Sequence, residues 1–291
     1  IRYEDVAPWY SYVERFVGIS GSYEGLDTLP DGEFLPAWEM NCVEKEIQQR
    51  VNQSYQDRKF IKGRCAHLTQ PKDQHLAQGR GQCMARNQCY RGCPFGGYFS
   101  SNSSTLPAAD ITGNMTLIPN SIVHEVIYDE TTKRATGVRV IDTETMEHYE
   151  YRARVIFLCA SAIASTSILM QSISSRFPNG MGNDSGELGH NIMDHHLGVG
   201  ASGTTDSFRD KYYVGRRPNG YYIPRFRNLG EGTNVSEFIR GYGYQGGGSR
   251  SNWSENIGEY QYGRAFNEAL IEPGGWSIGM GGFGEFLPYH D

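Results

Sequence analysis

The chain predicts an α+β fold, on three observations. Helical patterning opens it, three β-branched or aromatic runs separated by polar turns occupy residues 115–161, and Gly- and Tyr-rich segments of β character fill its last third. With 291 residues, 38% hydrophobic and 21% charged, the sequence reads as an ordinary globular chain of roughly two domains. A net charge of −6 argues against a nucleic acid as the main partner, which would call for a basic face. No run approaches the roughly 18 apolar residues of a membrane-spanning helix. The longest, VIFLCASAIA at 155–164, is interrupted by Cys159 and Ser161.

The opening IRYEDVAPWYSYVERFVG places Val13, Phe16 and Val17 on one helical face. MTLIPNSIVHEVIYDE, TGVRVIDTET and HYEYRARVIFLCAS then read as an antiparallel meander joined by DETTKRA and DTETME. Within the third run, HYEYRAR alternates as a half-exposed strand should, whereas VIFLC is continuously apolar, as a strand buried on both faces should be. SAIASTSILMQS follows as a tight turn into a helix, whose small side chains allow close approach of backbone N–H groups to an anionic group or close packing on a strand. The 36 glycines, about 12% against a usual 7%, concentrate in GYGYQGGGS (241–249) and GGWSIGMGGFGEF (274–286), which read as loops and turns of a β-rich region.

Cysteine usage is uneven: three of six cysteines, Cys83, Cys89 and Cys93, fall in the eleven residues CMARNQCYRGC, with Pro94 directly after. Iron needs several soft thiolate ligands, and close spacing lets one loop supply them. Zinc is an alternative, with Cys65 or a histidine as fourth ligand, although the short Cys-x2-4-Cys pair of most zinc sites is missing. A disulfide or plain reduced thiols are the others. Cys42 and Cys159 read as buried small residues.

SAIASTSILMQS resembles the second signature of the glucose–methanol–choline (GMC) family of flavoprotein oxidoreductases, matching at Ser161, Ala162, Ser165, Ile168, Leu169 and Ser172 and departing at Thr166 and Ile173. ELGHNIMDHH (187–196) resembles the family's Gly-x-Asn-Leu-x-Asp-His stretch, and RYEDVAPWYSYVERFVGISG resembles its "Tyr-x-Asp-Leu-x-Pro-Tyr-Tyr" region. The resemblance implies an α/β FAD-binding portion carrying the β-meander, plus a substrate domain on an antiparallel sheet. It implies 1–105 as a lid or substrate-side segment with the cysteine-rich loop, 106–200 as the middle of the FAD-binding domain and 201–291 as part of the substrate-binding domain. The Gly-x-Gly-x-x-Gly turn for the FAD pyrophosphate is expected before Ile1 and the catalytic His with its His or Asn partner after Asp291, so a fragment incomplete at both ends is expected and no catalytic residue is assigned. His195 and His196, behind Asp194, match a mainly architectural Asp-His of the family.

By the same resemblance Val123 meets the adenine of FAD through its backbone, and Ala160, Ser161 and Ser165 form the turn that passes the cofactor. The spacing Cys-x5-Cys-x3-Cys-Pro resembles that of FAD-dependent sugar dehydrogenases, including those of glucoside 3-dehydrogenase type, that hold a 3Fe-4S cluster on three cysteines. It implies Cys83, Cys89 and Cys93 as ligands and a dehydrogenase that oxidises a sugar or glycoside and hands electrons to a cytochrome c-type or other acceptor protein. A small partner subunit and a periplasmic location follow from the same likeness. Tyr212, Tyr213, Tyr221, Tyr222, Tyr242, Tyr244, Trp253 and Trp276 are candidate covers for a sugar ring, or packing of a sheet. An oxidase of the family without a cluster, and a non-catalytic protein keeping only this portion, are the competing readings.

Overall fold

The computed structural model describes residues 1–86, 88–213, 215, 219–250, 262–271 and 274–290. Trp253, one of the candidate sugar-covering aromatics, lies outside the described residues. In chain order the elements are α1 (Tyr3–Val17), β1 (Ser20–Gly21), β2 (Leu35–Pro36), α2 (Cys42–Ser54), β3 (Ile61–Lys62), α3 (Asp73–Ala77), a 3-10 turn (Cys89–Arg91) and α4 (Thr105–Ile111). They continue with β4 (Ser121–Asp129), β5 (Arg134–Asp142), β6 (His148–Arg152), α5 (Ser161–Gln171), β7 (His195–Thr205), β8 (Tyr221–Ile223), β9 (Gly243–Arg250), α6 (Arg264–Ile271) and β10 (Trp276–Glu285). The mixture is α+β, as expected. Two compact units result: Ile1–Met115 with His195–Glu285, and Thr116–Asp194 with Phe286–Asp291.

The first unit is built on a five-stranded sheet in the order β3-β8-β9-β10-β7, antiparallel at every pairing. Met40, Phe60, Tyr221, Ile223 and Phe226 form its core, with Ile47, Val51, Tyr242, Tyr244, Ile278 and Met280 packed against them. Phe60 and Tyr221 stack at 4.2 Å between centroids. Tyr221, whose hydroxyl donates to the Gly279 carbonyl at 2.8 Å, and Trp276 are buried in packing, while Tyr212 is exposed.

Helix α2 docks on this sheet by its N-terminus. The Asn41 side chain accepts from the Glu44 N–H at 3.0 Å and Glu44 returns the bond to the Asn41 N–H at 3.0 Å, a capping box. The same pair reaches β9, where Asn41 Nδ2 donates to the Gly248 carbonyl at 2.8 Å and the Gly248 N–H donates to Glu44 Oε1 at 2.9 Å.

The two glycine-rich segments, expected as loops, are the paired strands β9 and β10. Close approach explains the glycines: a Cβ on Gly246 would collide with the Gly279 carbonyl oxygen and come 2.7 Å from Tyr221 Oη. Missing side chains mark crowding by neighbouring strands, which local composition alone reads as flexibility. In α1, Glu4 and Asp5 favour the first turn and Gly18, at φ +80, ends the helix. Val17 is buried, but Val13 is 52% exposed, so the apolar face is shorter than the periodicity suggests.

The second unit holds the expected meander, β4-β5-β6, antiparallel throughout. Helix α5 packs on β4: the Val126 N–H donates to Ser172 Oγ at 2.8 Å, and Val126, Ile127, Val140 and Ile168 are buried. Two expectations fail here. β6 is exposed along its whole length. Residues 155–159, expected to be a doubly buried strand, form no strand, and Val155 and Phe157 are 66% and 83% exposed. A strand covered on both faces needs pairing and packing partners, and among the described residues nothing pairs with this segment. Cys159, expected buried, is exposed for the same reason.

Candidate functional site

The three closely spaced cysteines share one cavity. It measures about 30 Å³, and Cys83, Cys89 and Cys93 line it with His67, Arg86 and Tyr98 among others. Two extended arms build it. The Leu68 N–H donates to the Gly97 carbonyl at 2.8 Å, the Cys83 N–H to the Leu68 carbonyl at 2.7 Å and the Phe99 N–H to the Ala66 carbonyl at 3.0 Å, so 65–68 runs between 83 and 95–99. Gly97 permits the crossing, because a Cβ there would sit 2.9 Å from both N and Cα of Cys83. The connecting segment turns outward through Cys89–Arg91, leaving Met84 and Tyr90 59% and 89% exposed.

Each sulfur has a different environment. Burial pushes the Cys83 thiol above the usual thiol range, and the neighbouring Cys89 and Cys93 push it further. Burial also opposes ionisation of Cys93, but hydrogen bonds from the backbone N–H groups of Tyr98, Phe95 and Gly97, with the charge of Arg86, outweigh it and hold that thiol below its ordinary value. His67 sits between two thiols, its Nδ1 2.7 Å from Cys65 Sγ and its Nε2 3.5 Å from Cys89 Sγ, with its ring 4.9 Å from that of Tyr98. His67 carries no motif in sequence; the alternation Cys65-Ala66-His67, which points both side chains to one side of an extended arm, is the signal that finds it.

Three thiols on one cavity are soft donors of the kind that metals take. Among the described residues, no three His, Cys, Asp or Glu side chains already converge closely enough to hold a metal ion.

The four residues expected at FAD lie in the second unit. Val123 pairs with Val140, and the ladder is interrupted between Val123 and Glu125, at His124, whose buried Nε2 has no partner. Ala160 precedes α5 without any side-chain capping bond, Ser161 adopts φ +69, and no acidic residue occupies the first turn. The opening N–H groups of α5 are therefore uncapped by side chains, beside exposed Ala160 and Ser161 and half-buried Ser165. An orphaned imidazole nitrogen and an uncapped helix start framed by small side chains fit a large polar cofactor. His195 and His196 lie on β7, paired with Glu285 and Gly284 of β10.

The family model for GMC oxidoreductases matches residues 1–197. The fructose dehydrogenase large subunit of Gluconobacter japonicus is 25% identical over 202 residues, covering 69% of this chain and 36% of that protein. A 2-methyl-1,2-propanediol dehydrogenase of Mycolicibacterium austroafricanum is 27% identical over 250 residues, covering 84% of this chain and 42% of that protein. The alignments thus span about two fifths of these relatives' lengths. Among the described residues, no helix is long and apolar enough to cross a membrane.

Proposed function

This chain belongs to the GMC oxidoreductase family, and we propose from that premise that it forms part of an FAD-dependent dehydrogenase that oxidises a CH–OH group of a sugar or glycoside and passes the electrons through a 3Fe-4S cluster to an external acceptor. One observation carries the finer part of this reading: the three cysteines singled out by spacing line one cavity. When bound, FAD accepts a hydride equivalent from the substrate, and an iron–sulfur cluster accepts electrons singly.

This chain's own residues bind and orient. Cys83, Cys89 and Cys93 would hold the cluster, with the Cys93 thiol held below its ordinary value, against burial, by its three N–H donors and Arg86. Met84 and Tyr90 are exposed in the same loop, and an external acceptor of cytochrome c type is part of this reading. Val123 would meet the adenine through its backbone, and Ala160, Ser161 and Ser165 would line the cofactor with N–H groups and hydroxyls. No catalytic residue is assigned within 1–291. The sugar donor is supported by the likeness to a fructose dehydrogenase large subunit, whose name also supports a partner subunit. We keep 106–200 as the FAD-facing segment and 1–105 and 201–291 as substrate-facing segments of the whole protein, which we place in the periplasm.

A flavin-only oxidase or dehydrogenase is the second reading. It is favoured by the small cavity volume of about 30 Å³ and by the lack, among the described residues, of three converged ligands. Iron, sulfide and flavin analysis of the full-length protein, purified without air, separates the two. About three irons with flavin is the expected result, and Cys89→Ser should abolish the broad absorption near 400 nm and reduction of the acceptor while flavin reduction by substrate persists. Flavin without iron, or unchanged acceptor reduction in Cys89→Ser, would overturn the cluster.

A further inference from the structure

Two consecutive segments of the second unit carry apolar side chains left open to solvent. In 155–159, Val155, Phe157 and Cys159 are exposed, whereas Ile156 and Leu158 between them are half-buried, the period-two alternation of a strand. Among the described residues, none forms a backbone hydrogen bond with 155–159. Helix α5 begins directly after Ala160 and contains no charged residue. Its Ile168 is buried, yet Ile163 and Met170 are 71% and 50% exposed. A helix that is apolar on more than one side is of the kind that is covered on more than one side.

Both ends of this stretch are fastened to the meander. Ahead of it the Ala153 N–H donates to the Thr136 carbonyl at 3.1 Å, and behind it Ser172 Oγ accepts from the Val126 N–H at 2.8 Å and donates to the Ile168 carbonyl at 2.6 Å. A stretch tethered at both ends has little freedom to hide its own side chains, so the cover has to come to it. The character of that cover follows from the residues. Surfaces for reversible association are about as apolar as the rest of a protein and carry a polar rim, whereas an uncharged run with open backbone groups calls for permanent pairing and packing. Length supplies the occupant: the alignments cover 36% and 42% of the two relatives, so more than half of each lies outside the matched part.

We infer that residues 155–159 are a docking strand for a further segment of the same polypeptide, outside 1–291. That segment pairs with the backbone of 155–159 and covers Val155, Phe157 and Cys159 together with Ile163 and Met170 of α5. Ala160 and Ser161 follow the strand without a gap, so on the FAD reading given above the same closure fixes the turn that passes the cofactor. The docking itself depends on neither the cofactor nor the cluster.

The test uses the full-length protein, expressed without any partner subunit, and needs no variant. Hydrogen exchange read by mass spectrometry follows the amides of 155–159, and iodoacetamide labelling with peptide mass mapping follows Cys159. Both are expected to run at least about a hundredfold slower in native than in urea-unfolded protein. A smaller slowing of either overturns the inference, because the face is then open in the whole protein. Protein concentration and partner identify the occupant. Cover by the same polypeptide gives protection that is unchanged on dilution and present in the chain expressed alone. Protection that disappears as a dimer dissociates in size-exclusion chromatography assigns the face to a second copy, and protection that appears only when a partner subunit is added assigns it to that subunit. Either result overturns the inference. The readout requires neither iron nor turnover, so protein without a cluster would sink the cluster reading and leave this inference standing.

Discussion

Replacing Asn219 by Ala tests whether one side chain fastens the cysteine-bearing arm to the main sheet. Asn219 is 9% exposed and makes four bonds: Nδ2 donates to the Ser20 carbonyl at 3.1 Å, to Ser20 Oγ at 3.0 Å and to the Gly63 carbonyl at 2.8 Å, while Oδ1 accepts from the Trp38 N–H at 3.0 Å. Ser20 in turn pairs with Cys65 in both directions, at 2.8 and 2.9 Å. Truncation leaves the Ser20 carbonyl its bond from Cys65, but deprives Gly63 and Trp38 of a partner each. At roughly 1–3 kcal/mol for each buried group deprived of its partner, the loss is about 2–6 kcal/mol, and water entry at a site near the surface draws it to about 3 kcal/mol. Asn219→Asp should be worse, because a carboxylate accepts but does not donate and would face two carbonyl oxygens. Urea unfolding of the full-length protein, followed by tryptophan fluorescence, reads the shift as a lower midpoint at unchanged slope. A loss below 1 kcal/mol for Asn219→Ala, or Asn219→Asp more stable than Asn219→Ala, would refute the reasoning.

Three further outcomes are expected. Phe60→Ala removes a fully buried ring stacked on Tyr221, and should cost about 3–5 kcal/mol in the same unfolding assay, with less than 1 kcal/mol being the contrary result. His75, fully buried, accepts the Lys72 N–H and donates to the Arg15 carbonyl, and burial foremost keeps its basicity below the ordinary histidine value. Below about pH 6.5 the unfolded chain therefore binds a proton that the native one does not, so stability is full above that pH and falls as pH drops towards the lowered native value, with a slope of at most about 1.4 kcal/mol per pH unit that His75→Gln should flatten in unfolding series from pH 8 to 5. In metal-free protein near neutral pH, iodoacetamide should modify Cys93 before Cys83, because burial first and its thiol neighbours second suppress ionisation of Cys83 whereas N–H donors and Arg86 promote that of Cys93. Peptide mass mapping gives the order, and the reverse order would contradict the assignment.

Local signals were legible where the chain folds on itself over a short distance. The β4-β5-β6 meander follows from alternation broken by polar turns, and α5 follows from small residues giving way to Ile168 and Leu169. Long-range crowding was not legible. Gly246 and its neighbours belong to strands because Gly279 and Tyr221 press against them from segments over thirty residues later and over twenty earlier. Residues 155–159 have the composition of a doubly covered strand, yet composition states only a demand for cover, and no described segment meets it.

The same distinction runs through the site. Spacing brought Cys83, Cys89 and Cys93 to attention, and they do share a cavity. It was silent on His67 and Arg80, since a single histidine or arginine has no pattern of its own. Burial first, and its thiol neighbours after it, raise the Cys83 thiol. Cys93 instead receives three backbone N–H groups and faces Arg86, while Arg80 lies fully buried behind Gly96 with no carboxylate to balance it among the described residues. The thiols of one loop thus differ through neighbours that arrive from other parts of the chain, which spacing alone does not state.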